Sequence, residues 1–136
     1  MLKNCNTYEI SVSLNDECYR HIKISADSTL EQLSSAILEA FSFGEDHMHA
    51  FFMTNRVWDD YGDYFAKGIG MDVCLTCDYN LSEVGLFRNK EFLCIFDIGE
   101  EWQFQCVVLR VLKKSISEPV LAASKGTPPK QPPRQN

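Results

Sequence analysis

The sequence predicts an α+β fold: a ubiquitin-like β-grasp-type mixed sheet carrying one main helix, with an irregular insertion. Three observations lead there. Two early runs alternate with a period of two and are joined by a short polar turn, one amphipathic helix follows, and two long β-rich runs close the ordered part of the chain.

Residues 8–14 place Tyr8, Ile10, Val12 and Leu14 on one face, as a half-buried strand does. Asn15, Asp16 and Glu17 form a polar turn. Cys18 to Ile24 then returns with Ile22 and Ile24 inward, giving a hairpin. Ser28, with Glu31 three residues later, reads as a capping box. Leu30, Leu33, Ile37 and Phe41 follow at helical spacing, and Gly44 sits where a left-handed terminating residue is expected. Burial of four large apolar side chains, at roughly 1.5–3 kcal/mol each, makes this helix the main core contributor.

His47 to Met53 is expected as a third strand that shows His47, His49, Phe51 and Met53 on one face. Residues 54–71 form the irregular excursion, with Trp58, Tyr61, Tyr64 and Phe65 as a candidate interaction surface. A short strand is expected at Val73 to Thr76, and a short helical turn at Leu81 to Val84. Phe92 to Ile98 is apolar on both faces, as in a central covered strand. Trp102 to Leu112 switches apolar phase, which predicts a bulge near Cys106. The organisation expected is a single domain over residues 1–114 and a flexible Pro/Lys-rich tail over 115–136.

Composition narrows the classes of function. A chain of 136 residues with 45% hydrophobic content can build one core. No run of about 18 apolar residues is available to span a membrane, and residues 1–6 lack an apolar signal region. A cytoplasmic location and six reduced cysteines are therefore expected. Residues 113–136 carry five basic groups and one acid, a net +4, which leaves −10 of the total −6 on residues 1–112. An acidic body repels phosphate backbones, so only the tail is suited to nucleic acid.

No set of residues completes a catalytic centre. His47 and His49 share a face at a spacing that can chelate zinc or copper, but a third ligand would have to come from Asp97, Glu100, Cys94 or Cys106. Asp59, Asp60 and Asp63 lack the loop length and terminal Glu of a calcium site. Cys74 and Cys77 form a lone CxxC with no second pair. Asp97 and Glu100 flank Gly99 and could act as paired carboxylates. No phosphate loop or nucleophile elbow is present. Neither a metal nor a cofactor is expected.

Several of these stretches together resemble the plasmid pRiA4b ORF-3-like family. They are the run from Tyr19 and Arg20 through Ala26, Asp27, Thr29 and Leu30 to Leu33; Ala40-Phe41; the His47-x-His49-x-Phe51 pattern; and Phe96-Asp97-Ile98-Gly99-Glu100-Glu101-Trp102, similar to that family's Tyr-Asp-Phe-Gly-Asp-x-Trp signature. Residues Pro119 to Pro129 echo a further motif. The resemblance implies a β-grasp-like fold and a bacterial or mobile-element setting, and it assigns no activity. Ser34, Ala50 and Phe104 stand where the family carries His, Glu and His, and Val120, Thr127 and about Pro132 stand where it carries cysteines. The expected function is a non-catalytic module that binds another protein, with His47, His49, Asp97, Gly99, Glu100 and Trp102 as the candidate binding residues. The alternatives are a degenerate or metal-assisted enzyme of mobile-element biology and nucleic-acid binding through the tail.

Overall fold

The structure is a computed structural model that describes residues 6–45, 47–70 and 72–129. Its strands are β1 (Thr7–Asn15), β2 (Cys18–Ser25), β3 (His49–Phe52), β4 (Asp63–Phe65), β5 (Glu91–Phe96), β6 (Trp102–Leu112) and β7 (Val120–Lys125), with one α-helix, α1 (Leu30–Ala40). They form one seven-stranded sheet in the order β4-β3-β5-β6-β1-β2-β7, in which all pairings between these strands are antiparallel. The mixed β-grasp expectation is therefore corrected to a mainly β architecture. A β-grasp sheet needs the first strand parallel to the last of its hairpin pair, whereas β1 runs antiparallel to β6 here. Apolar periodicity reports the buried face of a strand and carries no information about its neighbour's direction.

Helix α1 starts one residue later than expected. Thr29 is its N-cap: the Thr29 hydroxyl accepts from the Gln32 amide at 3.1 Å, and the Gln32 side chain accepts from the Thr29 amide at 2.8 Å. Ser28 instead closes a turn, its amide donating to the Ser25 carbonyl. The far end also differs from expectation. Ser42 takes the left-handed position at φ 60°, the Phe43 amide donates to the Leu38 carbonyl and the Ser42 amide to that of Glu39. This double bond pattern seals the helix and turns Phe43 back onto the sheet.

Between those caps, Leu30, Leu33, Ile37, Leu38 and Phe41 are buried against the sheet. They meet Ile10, Val12, Ile22, Ile24, Phe92, Phe96, Phe104 and Val108 in the main core. On the opposite face a smaller cluster, Ala50, Phe52, Leu93 and Ile95, is covered by Val57 and Phe65. Strand β5 is thus buried on both sides, as its composition requires. The change of phase in β6 falls later than Cys106. Pairing slips between Glu9 and Ile10, whose partners are Arg110 and Val108, so Leu109 is the extra residue. Val73 to Thr76 contributes only an isolated bridge from Leu75 to Phe65 and the start of a 3-10 turn at Thr76–Asp78; a second 3-10 turn spans Leu81–Glu83.

Part of the stretch expected as a tail belongs to the sheet. After β6 the Lys114 carbonyl accepts from the buried Thr7 hydroxyl at 2.6 Å. The chain then reaches the far edge, where β7 pairs with β2 from Tyr19 opposite Lys125 to Lys23 opposite Val120. Arg20 holds it there. Its guanidinium donates to the carbonyls of Tyr19 and Lys125 at 2.8 and 2.9 Å, Gly126 at 3.1 Å and Ala40 at 3.0 Å, and it lies over the Phe41 ring. Gly126 has φ 82°, and a Cβ there would strike the Glu17 carbonyl, so this position requires glycine. Low tail hydrophobicity concealed the strand because both faces of β7 are exposed, and it is held by backbone hydrogen bonds and one cation.

Truncation after Lys114 removes β7 and two of those carbonyl groups from Arg20. The melting temperature should fall by about 4 °C or more, as loss of ~1 kcal/mol does in a domain of this size. An unchanged transition would contradict the role of β7 as part of the fold.

Candidate functional site

The β5–β6 turn gathers most of the candidate residues at one end of the sheet. His49 pairs with Phe96, which in turn pairs with Trp102, so the three side chains form a row across β3, β5 and β6 on the side facing α1. Phe43, aimed there by the helix end, lies 5.0 Å from Trp102 and 6.3 Å from Phe96 between ring centroids. His47 precedes β3 and sets its ring against Phe96 at 5.9 Å, with Nε2 3.5 Å from Asp97 Oδ2.

Asp97 and Glu101, at φ 61° and 55°, bracket the turn in left-handed conformations. Gly99 has no positive φ, and a Cβ on it would make only an ordinary contact with Asp97, so the left-handed positions of this turn fall on two acidic residues rather than on the glycine. The Asp97 amide donates to Met48 at 2.8 Å, and Asp97 Oδ1 accepts from the Glu100 amide at 3.3 Å. Asp97 therefore fixes the turn and its approach to His47. Glu100 is exposed, and it is its amide that meets Asp97. Trp102 keeps its indole nitrogen buried without a hydrogen-bond partner among the described residues.

The two histidines diverge. Whereas His47 turns to Asp97, His49 Nε2 meets the hydroxyl of fully buried Thr76 at 2.7 Å. Burial lowers the His49 pKa from 6.5 to about 4, against an opposing push from the Glu45 carboxylate. The ring is thus engaged by a hydroxyl and disfavours a proton. No cluster of three metal-ligating side chains occurs among the described residues.

The aromatic excursion is not one surface. Tyr64 packs on Tyr79 at 5.0 Å on the α1 side, while Trp58 and Phe65 both pack on Phe52 on the other side. Tyr61 and Trp58 are exposed, at 79% and 47%. Trp58 Nε1 donates to Glu101 Oε1 at 3.1 Å, which ties the excursion to the β5–β6 turn. The acidic residues of the excursion organise the loop. The Tyr61 amide, the Thr54 hydroxyl and Arg56 hold the Asp59 carboxyl below its usual range.

Among the cysteines, Cys18, Cys94 and Cys106 are buried, and burial raises the thiol pKa of the last two. Cys74 is exposed and accepts from the Tyr79 hydroxyl at 3.6 Å; Cys77 lies beside Asp78. Ser34, Ala50 and Phe104 are all buried but do not meet, since Ala50 faces the small cluster and Phe104 packs on Phe41 and Phe43.

Sequence reasoning missed a second region. Between α1 and β7 lies a groove of about 670 Å³, whose lining includes Ile22, Ala36, Ala40, Leu121, Glu39 and Glu118. Val120 and Leu121, 47% and 53% exposed, stand on its outer strand. Arg20 carried the available signal. It occupies an inward position two before Ile22, where an apolar residue would be expected without a special partner.

An antiparallel sheet crossed by one helix, with an Asp-x-Gly-Glu-x-Trp turn opposite a His-x-His segment, defines a small sheet-based domain. Residues 6–132 match the family described as Plasmid pRiA4b ORF-3-like protein, and the chain belongs to that family. Its fold is similar to the crystal structure of a protein of unknown function from Methanosarcina mazei Go1. The TM-score is 0.73 at 22% identity, over 88% of this chain and 69% of that one. No curated protein matches it. No helix among the described residues is long and apolar enough to cross a membrane.

The His49 environment makes a pH prediction. The unfolded chain binds a proton near pH 6.5 that the folded ring refuses until about pH 4. Stability is therefore fully retained above pH 6.5 and falls between those values, by about 3 kcal/mol at the acid end. Urea unfolding at pH 7 and pH 4.5 should show this loss in the parent and a smaller one in His49→Gln. Equal pH dependence in both proteins would contradict the burial of a neutral ring.

Proposed function

We propose that the chain is a non-catalytic protein-interaction module that accepts an extended segment along the outer edge of β7. The observation that carries this reading is the contrast between the two sheet edges. The outer side of β4 is engaged by the 72–75 segment, through the Phe65 amide to Cys74 carbonyl bond at 2.8 Å and the bridge to Leu75. Strand β7 has β2 on one side and no strand on the other among the described residues. Natural sheets blunt such edges with charges, bulges or proline; β7 has Pro119 before it and an extra residue at Ala122 where its pairing with β2 slips, yet it presents Val120, Leu121, Ala122 and Ala123 before its single charge at Lys125. A free edge beside an apolar groove is the arrangement used in strand addition, where backbone bonds give affinity and alternate side chains give selectivity.

The candidate polar residues support binding over catalysis because they serve the fold: His49 meets Thr76, and Asp97 shapes its own turn. A net charge of −10 on residues 1–112 favours a protein partner over a nucleic acid. The plasmid in the family's description supports a mobile-element setting for this chain as well.

Selection of displayed random peptides on the immobilised chain tests this reading. A Val120→Lys, Leu121→Lys variant with the parent melting temperature should bind the enriched peptides at least about tenfold more weakly, a loss of ~1.4 kcal/mol. Enriched peptides that bind parent and variant equally would place the binding surface elsewhere.

A further inference from the structure

We infer that the segment received beside β7 is an extended, basic stretch of a partner protein, with an apolar residue and a Lys or Arg two positions apart on the side turned to α1. This inference rests on the strand-addition reading and adds the chemistry of the occupant. The floor of the groove is apolar and shallow in side chains: Ala36 and Ala40 lie one helical turn apart on α1, facing Ile22 and Leu121. Those two alanines leave room for an incoming aliphatic side chain. A strand added to β7 would run about 4.8 Å from it, and its alternate residues would point into the same groove about 7 Å apart.

The charge of the groove selects the second residue. Its lining contains two ionisable groups, Glu39 and Glu118, both carboxylates on exposed residues, and neither forms an ion pair among the described residues. The two carboxylates set the sign of the exposed charge in the groove. Helix α1 ends beside the groove with no basic residue of its own in the last turn, and its Ala40 carbonyl is met by Arg20 from β2. Arg20, the buried cation nearby, directs its donors to four backbone carbonyls and makes no bond to either carboxylate. An acidic or neutral segment would leave Glu39 and Glu118 facing like charge or no charge, while a Lys or Arg two residues from the apolar anchor reaches them. Charge complementarity of this kind sets partner choice more than raw affinity.

The test uses the full chain, ¹⁵N-labelled, and two synthetic capped heptapeptides. One is Thr-Lys-Thr-Val-Thr-Lys-Thr, and the other has Glu in place of both Lys. With the basic peptide, amide shifts should centre on Val120–Lys125, Ile22, Ala36 and Ala40. It should bind at least about fivefold more tightly than the acidic peptide at low salt, the scale expected for two exposed ion pairs. That preference should shrink to about twofold or less in a Glu39→Gln, Glu118→Gln variant and at high salt. Equal binding of both peptides at β7 would overturn the basic-partner inference and leave strand addition standing. Shifts from neither peptide at β7 would overturn both. A dimer in sedimentation equilibrium, with β7 amides protected in the absence of peptide, would assign the edge to a second copy of this chain instead.

Discussion

The guanidinium of Arg20 bridges β2, the end of α1 and the end of β7. It sits on the inward face of β2, 7% exposed, and makes no ion pair with a carboxylate among the described residues. Its charge is spread instead over the carbonyls of Tyr19, Lys125, Gly126 and Ala40 and the face of Phe41. Charge-assisted bonds of this kind are worth roughly 1.5–3 kcal/mol each, and a planar fork can reach several acceptors at once. The end of α1 and the end of β7 are thereby held at a set distance from β2. The groove between them follows from that spacing. Gly126, the one residue that fits against Glu17, lets the chain pass close enough for its carbonyl to be reached.

The two ends of the sheet divide the work. At the β5–β6 turn, polar groups engage one another: His49 meets Thr76, Asp97 accepts from the Glu100 amide, and Trp58 donates to Glu101 at the surface. Aromatic packing of Phe43 on Phe96, Trp102 and Phe104 then fills the space around the histidines. At the β7 end, the polar backbone of an edge strand is exposed next to small apolar side chains and two carboxylates. The second arrangement leaves edge backbone groups beside small apolar side chains.

Much of the secondary structure was legible from periodicity. The hairpin of β1 and β2, the stripe of Leu30, Leu33, Ile37 and Phe41, and the doubly buried β5 all follow from which residues are apolar. Strand direction was not legible, because a side-chain pattern reports a face and is the same for parallel and antiparallel neighbours. Helix ends were misplaced by a residue or two, since Thr29 with Gln32 competes with Ser28 and Glu31, and Ser42 adopts the conformation expected of Gly44. His47, Asp97 and Trp102 were singled out by the resemblance to the family's motifs, while the strand order that brings them together was not legible, nor was the divergence of His49, because Thr76 is distant in sequence. Strand β7 was hidden by composition. A strand with no buried face has no apolar alternation to read, and its only trace was an arginine in an inward position of β2.

Amide hydrogen exchange in an Arg20→Met variant tests the dependence of the edge on that arginine. Methionine keeps much of the apolar stem and removes the donors. Val120–Lys125 should lose its protection while β1, β5 and β6 keep theirs, giving a folded domain with an open edge. Protection of β7 that survives the substitution unchanged would contradict the claim that Arg20 holds the edge strand and shapes the groove beside it.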